Sequence, residues 1–258
     1  MGSGLSFRLA AAFQKQNNSF LLVNENAEQA AYFLNDFERL LNPSDVLFFP
    51  ASYRQPYAQE TTDNANILLR AEVLKKLSTS KKPRIVVTYP QAIFEKIISQ
   101  HTLKRIALKL KKDTEVSLGF VNERLFEMGF ERVDFVSGPG EFAVRGGIID
   151  VFSFAYQHPY RIEFFDDLVE RLSSFNVSSQ LSITAFDEIE LLPNTSDHDF
   201  TDKRKTILSF FSLESCSVFA DIDKITYRLG DLYKKAEEAY KSLDTTTQYP
   251  PVKLFVQP

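Results

Sequence analysis

The strongest constraint on the fold is a set of three short, unbroken apolar runs in the first hundred residues. They lie at 20–23, at 46–49 and at 85–87, the last within a predicted strand at 84–88. Segments with a helical spacing of apolar residues alternate with them, at 27–41, 67–77 and 91–99. A strand that is apolar at every position is buried on both faces, and strands that alternate with helices build a parallel sheet. The sequence therefore predicts an α/β domain.

The pattern changes after residue 113. Residues 117–128 have the spacing of a helix, with Ser117 as a candidate N-cap and Gly129 just past the end. Short strand-like segments separated by turns follow at 132–136, 142–144, 148–152, 160–165 and 186–192. One helix beside a hairpin-rich, antiparallel sheet is typical of an α+β module.

Beyond residue 197 the first pattern returns. It predicts a helix at 203–211, a strand at 217–220, a long helix at 222–243 and a strand-like apolar run at 252–256, which indicates a chain cut from something longer. We therefore predict three stretches. Residues 1–113 form the first part of an α/β domain, 114–196 an inserted α+β domain, and 197–258 the return to the α/β domain.

Charge is distributed unevenly along the chain. The net charge of the 258 residues is −4, yet residues 114–196 alone hold 5 Lys+Arg against 14 Asp+Glu, and no lysine lies between Lys112 and Lys203. This acidic middle segment is a poor candidate for non-specific DNA binding. The segment 102–115 has the alternation of a strand and is basic, at Lys104, Arg105, Lys109, Lys111 and Lys112. These side chains either contact phosphate or form a solvated face, and the solvated face is the more common case.

Few residues are suited to catalysis or metal binding. Three scattered histidines and one cysteine match no zinc pattern, so we expect no metal, no cofactor and no catalytic residue. The single Cys216 cannot form an internal disulfide, which favours a cytoplasmic protein. No apolar run approaches the length of a membrane span, so we expect no membrane association.

Four of the nine glycines lie in the run 138–147. A phosphate-binding loop is one interpretation, but such a loop opens a helix, and here a strand-like segment led by Glu141 follows. The pair Pro139-Gly140 is typical of a type II turn, in which glycine takes a positive φ. We therefore predict turns and a hairpin.

Strand alternation separates three side chains from the predicted core. In 142–145, Arg145 lies on the face opposite Phe142. In 160–165, a core formed by Ile162 and Phe164 leaves Arg161 and Phe165 together on the outer face. Exposed aromatic and arginine side chains are enriched in protein-binding surfaces. The alternative is that another strand or a neighbouring domain covers Phe165.

Two segments resemble one family. The sequences GEFAVRGGIIDVF at 140–152 and PYRIEFFDD at 159–167 closely resemble the N-terminal, UvrB-homologous part of the bacterial transcription-repair coupling factors, the Mfd family. The resemblance continues over 175–180 and 188–193, with Asn176 where the family pattern has Asp. It is specific within 131–193, looser over 18–113 and weak beyond 200.

The resemblance implies a fold and a partner. It implies a degenerate P-loop-NTPase-like parallel-sheet domain, interrupted by an inserted α+β domain that docks on UvrA. The family's UvrA-binding positions correspond to Arg145, Arg161 and Phe165 here, the same residues that strand alternation set apart. RNA polymerase and DNA would be contacted by regions of the whole protein outside this chain.

The first residues resemble the end of a Walker A loop. Gly2, Gly4, Leu5 and Ser6 fit its last positions, but Leu5 stands where a lysine should reach the phosphates. We predict a degenerate nucleotide site that does not support catalysis; an added leader at residues 1–4 is the alternative.

Three hypotheses follow for the function. The first is a non-catalytic adaptor that recruits UvrA to stalled RNA polymerase. The second is a UvrB-type subunit that binds damaged DNA and nucleotide, although the gap before residue 64 is too short for the DNA-gripping hairpin of UvrB. The third is that the outer face of the module packs on the rest of the intact protein and masks UvrA binding.

Overall fold

The computed structural model describes residues 4–52, 57, 64–154, 156–193, 204–242 and 249–257. The chain forms two compact units, the first from residues 1–100 with 198–258 and the second from residues 101–197. The prediction had placed the boundaries after 113 and after 196. Residues 108–111 lie in the second unit because they pair there with 188–191.

A four-stranded parallel sheet forms the centre of the first unit. Its strands are β1 (Phe20–Val23), β2 (Val46–Phe48), β3 (Ile85–Thr88) and β14 (Cys216–Phe219). They lie in the order β14-β1-β3-β2, and every pair is parallel. All residues of β1 and β3 are buried, which agrees with their unbroken apolar sequences. The parallel sheet predicted from the sequence is confirmed.

Helices precede and follow the strands of this sheet along the chain. They are α1 (Gly4–Gln16), α2 (Ala27–Leu40), α3 (Asn64–Thr79), α4 (Pro90–Phe94), α7 (Ile222–Lys241) and α8 (Pro251–Leu254). The Asn26 side chain caps α2 by accepting from the N–H of Gln29, and α2 buries Ala30, Phe33 and Phe37. In the described part of the chain no helix is both long and apolar enough to cross a membrane.

Three predicted elements of the first unit were wrong in part. The predicted helix at 91–99 ends at Phe94, and β4 (Ile97–Ile98) follows it and pairs with β13 (Arg204–Lys205). The predicted helix at 203–211 is therefore this strand and a single 3₁₀ turn, Ile207–Phe210. The apolar run at 252–256 was predicted to be strand-like, but its first residues lie in α8 (Pro251–Leu254). Short apolar segments fit helix and strand equally well, and tertiary pairing decides between them.

The second unit contains a six-stranded sheet in the order β11-β10-β9-β8-β7-β6. Its strands are β6 (Glu131–Arg132), β7 (Glu141–Arg145), β8 (Ile148–Val151), β9 (Tyr160–Phe165), β10 (Leu168–Phe175) and β11 (Ser182–Phe186). All pairs are antiparallel except β6 with β7, which is parallel. β10 and β11 were not predicted, and the predicted strand at 132–136 is limited to β6.

Two helices and a two-stranded ribbon complete the second unit. The helix α5 (Gln100–Ile106) occupies the beginning of the segment 102–115, for which a strand was predicted, and β5 (Leu108–Lys111) is the extended part. β5 pairs with β12 (Glu188–Leu191). The helix α6 (Leu118–Glu127) begins after Ser117, whose hydroxyl accepts from the N–H of Phe120. Gly129, with φ of 78°, follows its end, so both predicted caps are confirmed.

A buried ion pair connects the loops of the first unit. The Arg70 guanidinium lies 2.9 Å from the Glu95 carboxylate, and the arginine side chain is fully buried. Arg70 also donates to the Pro50 carbonyl at 2.7 Å, and Glu95 accepts from the N–H and the hydroxyl of Ser52 at 2.8 and 2.6 Å. The Phe49 ring covers the guanidinium at 4.2 Å. These contacts fix the segments that follow β2 and α4.

Replacement of Glu95 by Ala should destabilise the chain by about 3–5 kcal/mol, because the variant leaves the Arg70 charge buried without its carboxylate. Urea denaturation followed by circular dichroism measures this loss. Glu72→Ala is the matched control, since Glu72 forms a half-exposed pair with Lys76 at 2.6 Å and such pairs contribute at most about 1 kcal/mol. Equal losses for the two variants would contradict this account of the Arg70 site.

The turn before β7 depends on a glycine. Gly140 has φ of +88°, and a Cβ built on it would lie 2.4 Å from the Cζ atom of Phe154. Phe154 is itself buried and packs against Phe130 with ring centroids 5.3 Å apart. The predicted turn at Pro139-Gly140 is therefore confirmed, and both its backbone conformation and its packing require glycine.

Gly140→Ala should lower the free energy of unfolding by about 2 kcal/mol, since it combines a strained φ with a collision in a packed core. Gly119→Ala provides the comparison: this glycine lies in α6 with no heavy atom within 4 Å of the added Cβ. Alanine should be neutral or stabilising at that site. Thermal unfolding of both variants is the measurement, and an unaltered Gly140→Ala transition would show that the turn can relax.

Candidate protein-interaction site

Three neighbouring strands bring Arg145, Asp150 and Arg161 onto one face of the second sheet. In the register of the sheet, Asp150 on β8 lies directly opposite Arg161 on β9. On its other side Asp150 faces Ala143, which is two residues before Arg145 on β7. Residues at i and i+2 share a face of a strand, so all three side chains project from the same side.

The Asp150 carboxylate accepts hydrogen bonds from both arginines. Arg161 donates from Nε to Oδ1 at 2.7 Å and from Nη2 to Oδ2 at 2.9 Å. Arg145 donates from Nη2 to the same Oδ2 atom. The Asp150 side chain is only 2% exposed. Hydrogen bonding to Asp150 raises the pKa of the Arg161 guanidinium above its ordinary value, so this arginine stays charged.

Phe135 lies at the Arg145 end of this group. The guanidinium of Arg145 lies 5.0 Å from the centre of the Phe135 ring and donates to the Asp134 carbonyl at 3.2 Å. Phe135 is 69% exposed. Phe135 was not predicted as a site residue because the pattern of 132–136 indicated a strand, whereas Phe135 lies in the loop after β6. An aromatic side chain within a polar, turn-rich segment was the available signal.

Glu141 holds that loop in place. Its carboxylate accepts from the N–H of Ser137 at 2.6 Å, the N–H of Gly138 at 2.9 Å and the Ser137 hydroxyl at 2.9 Å. Burial opposes ionisation of Glu141, but these hydrogen bonds hold its pKa below the usual value. The glutamate thus has a structural role at the base of the loop that presents Phe135.

Gln180 lies at the Arg161 end. Arg161 donates to the Gln180 side-chain oxygen at 3.2 Å and stacks on the Phe175 ring at 4.5 Å. Gln180 itself has φ of 59°, a left-handed conformation that is uncommon outside glycine. The turn that carries it is closed by the Asn176 side-chain oxygen, which accepts from the N–H groups of Ser178 and Ser179 at 3.0 Å. An aspartate offers the same acceptor, which explains in physical terms why Asn176 can replace the family's residue.

Phe165 lies further along the same strand. Burial alternates along β9 as strand parity predicts, with Ile162 and Phe164 buried and Phe165 68% exposed. Phe165 is four residues from Arg161, which corresponds to about 13 Å along a strand. Glu163 lies between them and approaches Arg171 at 3.7 Å. The structure therefore brings Arg145 and Arg161 into one cluster and places Phe165 apart from it on the same face.

The predicted degenerate nucleotide site lies in the first unit. Gly2 is outside the described residues, and Gly4 is the first residue of α1. Ser6 is buried, and its hydroxyl donates to Asp36 Oδ2 at 2.6 Å. Leu5 is the second residue of α1. Within the described chain no group of three or more His, Cys, Asp or Glu residues could hold a metal ion.

Four of the five basic side chains of 102–115 lie on two elements, and Lys112 lies in the turn that follows. Lys104 and Arg105 are in the last turn of α5. Lys109 and Lys111 are on the exposed face of β5, where Leu108 and Leu110 are buried. Lys109 lies 3.6 Å from Glu190, and Lys112 lies 4.0 Å from Asp113. The alternation of β5 agrees with a solvated face.

Comparison with known proteins identifies the second unit. Residues 108–196 match the family model described as the UvrB interaction domain. That range contains the arginine cluster and Phe165, and it ends within one residue of the second compact unit.

Curated relatives extend the similarity to both units. The chain is 31% identical to the transcription-repair-coupling factor of Bacillus subtilis over 192 residues, which are 74% of this chain and 16% of the relative. It is 30% identical to that of Rickettsia bellii, over 72% of this chain and 17% of the relative. A match to the Staphylococcus haemolyticus protein, at 28% identity, covers 92% of this chain and 20% of the relative.

The chain thus spans less than a fifth of the length of the Bacillus and Rickettsia proteins. The match to the domain model and the identities over most of the chain lead to the same family. The chain is a relative of the bacterial transcription-repair-coupling factors and carries a UvrB interaction domain.

Proposed function

We propose that this chain is a non-catalytic adaptor segment of a transcription-repair coupling factor, and that it recruits UvrA of nucleotide excision repair to stalled RNA polymerase. The contact with UvrA would be made by the face of the second unit that carries Arg145, Arg161 and Phe165. RNA polymerase and DNA would be bound by other regions of the whole protein, in the cytoplasm. The first unit would be a degenerate P-loop-NTPase-like domain, with the second unit inserted into it.

The exposed Phe165 on the same strand face as a fixed arginine cluster is the observation that carries the proposal. The Phe165 ring is 68% exposed, and the contact of its apolar surface with water is unfavourable. A partner surface that covers the ring would gain this free energy. Arginine and aromatic side chains also dominate the binding energy of measured protein interfaces. Because Arg161 is already ordered by Asp150 and Gln180, binding would freeze few additional rotamers there.

The charge of the second unit supports a protein partner rather than DNA. Its acidic composition, with 14 Asp+Glu against 5 Lys+Arg in 114–196, opposes a polyanion. The three cations of this segment outside the cluster are Arg124, Arg132 and Arg171. Of these, Arg124 lies within 2.5 Å of Glu127. A protein surface can instead complement the arginine cluster locally.

Phe165→Ala should weaken binding of the chain to purified UvrA by about 2 kcal/mol, which corresponds to roughly 30-fold in Kd. Isothermal titration calorimetry at one salt concentration measures this change. Phe120→Ala is the matched control, since Phe120 is 48% exposed on α6 of the same unit but lies outside the proposed face. Wild-type affinity in the Phe165 variant, or no binding by the wild-type chain, would contradict the proposal.

MgATP at millimolar concentration should leave the melting temperature of the chain unchanged. Leu5 provides no ammonium for the phosphates, and the Ser6 hydroxyl already donates to Asp36. A bound nucleotide at one hundred times its Kd would add about 2.7 kcal/mol of stability, which a thermal scan detects. Magnesium sulfate of equal ionic strength is the control. A melting temperature that rises with MgATP but not with magnesium sulfate would favour the alternative of a UvrB-type, nucleotide-binding subunit.

A further inference from the structure

The arginine cluster has one anion for two cations. Asp150 is the carboxylate that both Arg145 and Arg161 contact, and it is nearly inaccessible to solvent. The Arg145 side chain, by comparison, is 37% exposed. A partner on this face would therefore touch Arg145 and the exposed Phe135 ring without reaching the group that orders the arginines.

Asp150 controls the direction of each guanidinium. In Arg161 it takes both the Nε donor and an Nη2 donor, the bidentate geometry that fixes the plane of a guanidinium. In Arg145 it takes an Nη2 donor, while the Asp134 carbonyl takes an Nη1 donor. These contacts leave each arginine one narrow range of orientations, and two adjacent cations would otherwise repel each other.

We infer that Asp150 is the positioning residue of this interface: it acts on the partner only through Arg145 and Arg161, by holding both in the orientation that the partner meets. This inference rests on the proposed function for its binding consequence. The immobilisation of the two arginines by Asp150 does not depend on a partner and can be measured in the isolated chain. Together the three groups carry one net positive charge, and the partner group that complements it is a carboxylate.

Asp150→Asn separates orientation from shape. The amide is isosteric with the carboxylate, but it removes the negative charge and turns one oxygen into an NH₂ group that faces a guanidinium. The two arginines should then reorient toward solvent. We expect the affinity for UvrA to fall about tenfold, although the partner does not contact residue 150.

Two measurements distinguish positioning from a general loss of structure. In the isolated chain, the Nε–Hε signal of Arg161 in ¹⁵N-edited NMR should exchange slowly with water, and in Asp150→Asn it should exchange rapidly. In a double-mutant cycle, Arg145→Gln should cost much less affinity in the Asp150→Asn background than in the wild type, because Asp150 acts through Arg145.

Two further variants serve as references. Ile162→Val removes a methylene from the buried face of the same strand and should lower stability while leaving both the NMR signal and the affinity unchanged. Asp150→Glu retains the compensating charge if the asparagine variant fails to fold. Its displaced carboxylate should shift the Arg161 Nε–Hε signal and reduce the affinity by a smaller factor.

The outcomes separate the two claims. Slow Nε–Hε exchange that persists in Asp150→Asn, or additive effects in the double-mutant cycle, would overturn the positioning role. If the wild-type chain does not bind UvrA, the proposed function fails, and the NMR comparison alone decides whether Asp150 orders the arginines. Loss of the slow signal together with coupled affinity losses supports the inference in full.

Discussion

The register of β7, β8 and β9 is the constraint on which the proposed interaction site depends. It pairs Asp150 with Arg161 on one side and with Ala143, two residues before Arg145, on the other. One cluster is thus assembled from three separate strands. Because side chains alternate between faces, a slip of one residue would send Asp150 into the apolar face and bring Ile149 or Val151 against the arginines. The apolar partners Ile149 and Ile162, paired on the opposite face, hold the register.

Two buried carboxylate–guanidinium sites with different surroundings lie among the residues that the structure describes. Glu95 and Arg70 are enclosed on all sides, and their remaining hydrogen bonds go to backbone groups and to Ser52. Asp150 is equally buried, but Arg145 reaches outward beside the exposed Phe135 ring, while Arg161 stacks on the buried Phe175 ring. The first arrangement can only hold loops together. The second also presents oriented positive charge to whatever binds the face, at the cost of desolvating one carboxylate.

The sequence predicted most of the fold where patterns were strong. The unbroken apolar runs identified the parallel sheet, and the alternation in 160–165 correctly separated buried Ile162 and Phe164 from exposed Phe165. β10 and β11 were missed because Glu170, Arg171 and three serines obscure the apolar alternation in LVERLSSF and SITAF. The segment 91–99 was too short for its periodicity to distinguish a helix from the pairing of β4 with β13.

Of the residues that form the candidate site, only Arg145, Arg161 and Phe165 were selected from the sequence. Strand parity and family resemblance selected the two arginines and Phe165, because each of these can be assigned to a face from one strand alone. Asp150 was not selected, since its importance depends on which residues lie across from it, and register between strands is not visible in a single sequence. Phe135 was placed in a strand, whereas the Glu141 hydrogen bonds and Gly140 turn the chain into a loop at that point.

The order of segments in the first unit has a consequence for biosynthesis. β14 pairs with β1 along its whole length, yet 192 residues separate Val23 from Cys216, and the second unit lies entirely between them. At ribosomal rates of synthesis, roughly 10 to 40 s pass between the synthesis of β1 and that of β14. The second unit is continuous in sequence and has all its strand partners within about a hundred residues. The second unit can therefore fold on the nascent chain while the parallel sheet of the first unit still lacks its edge strand, β14.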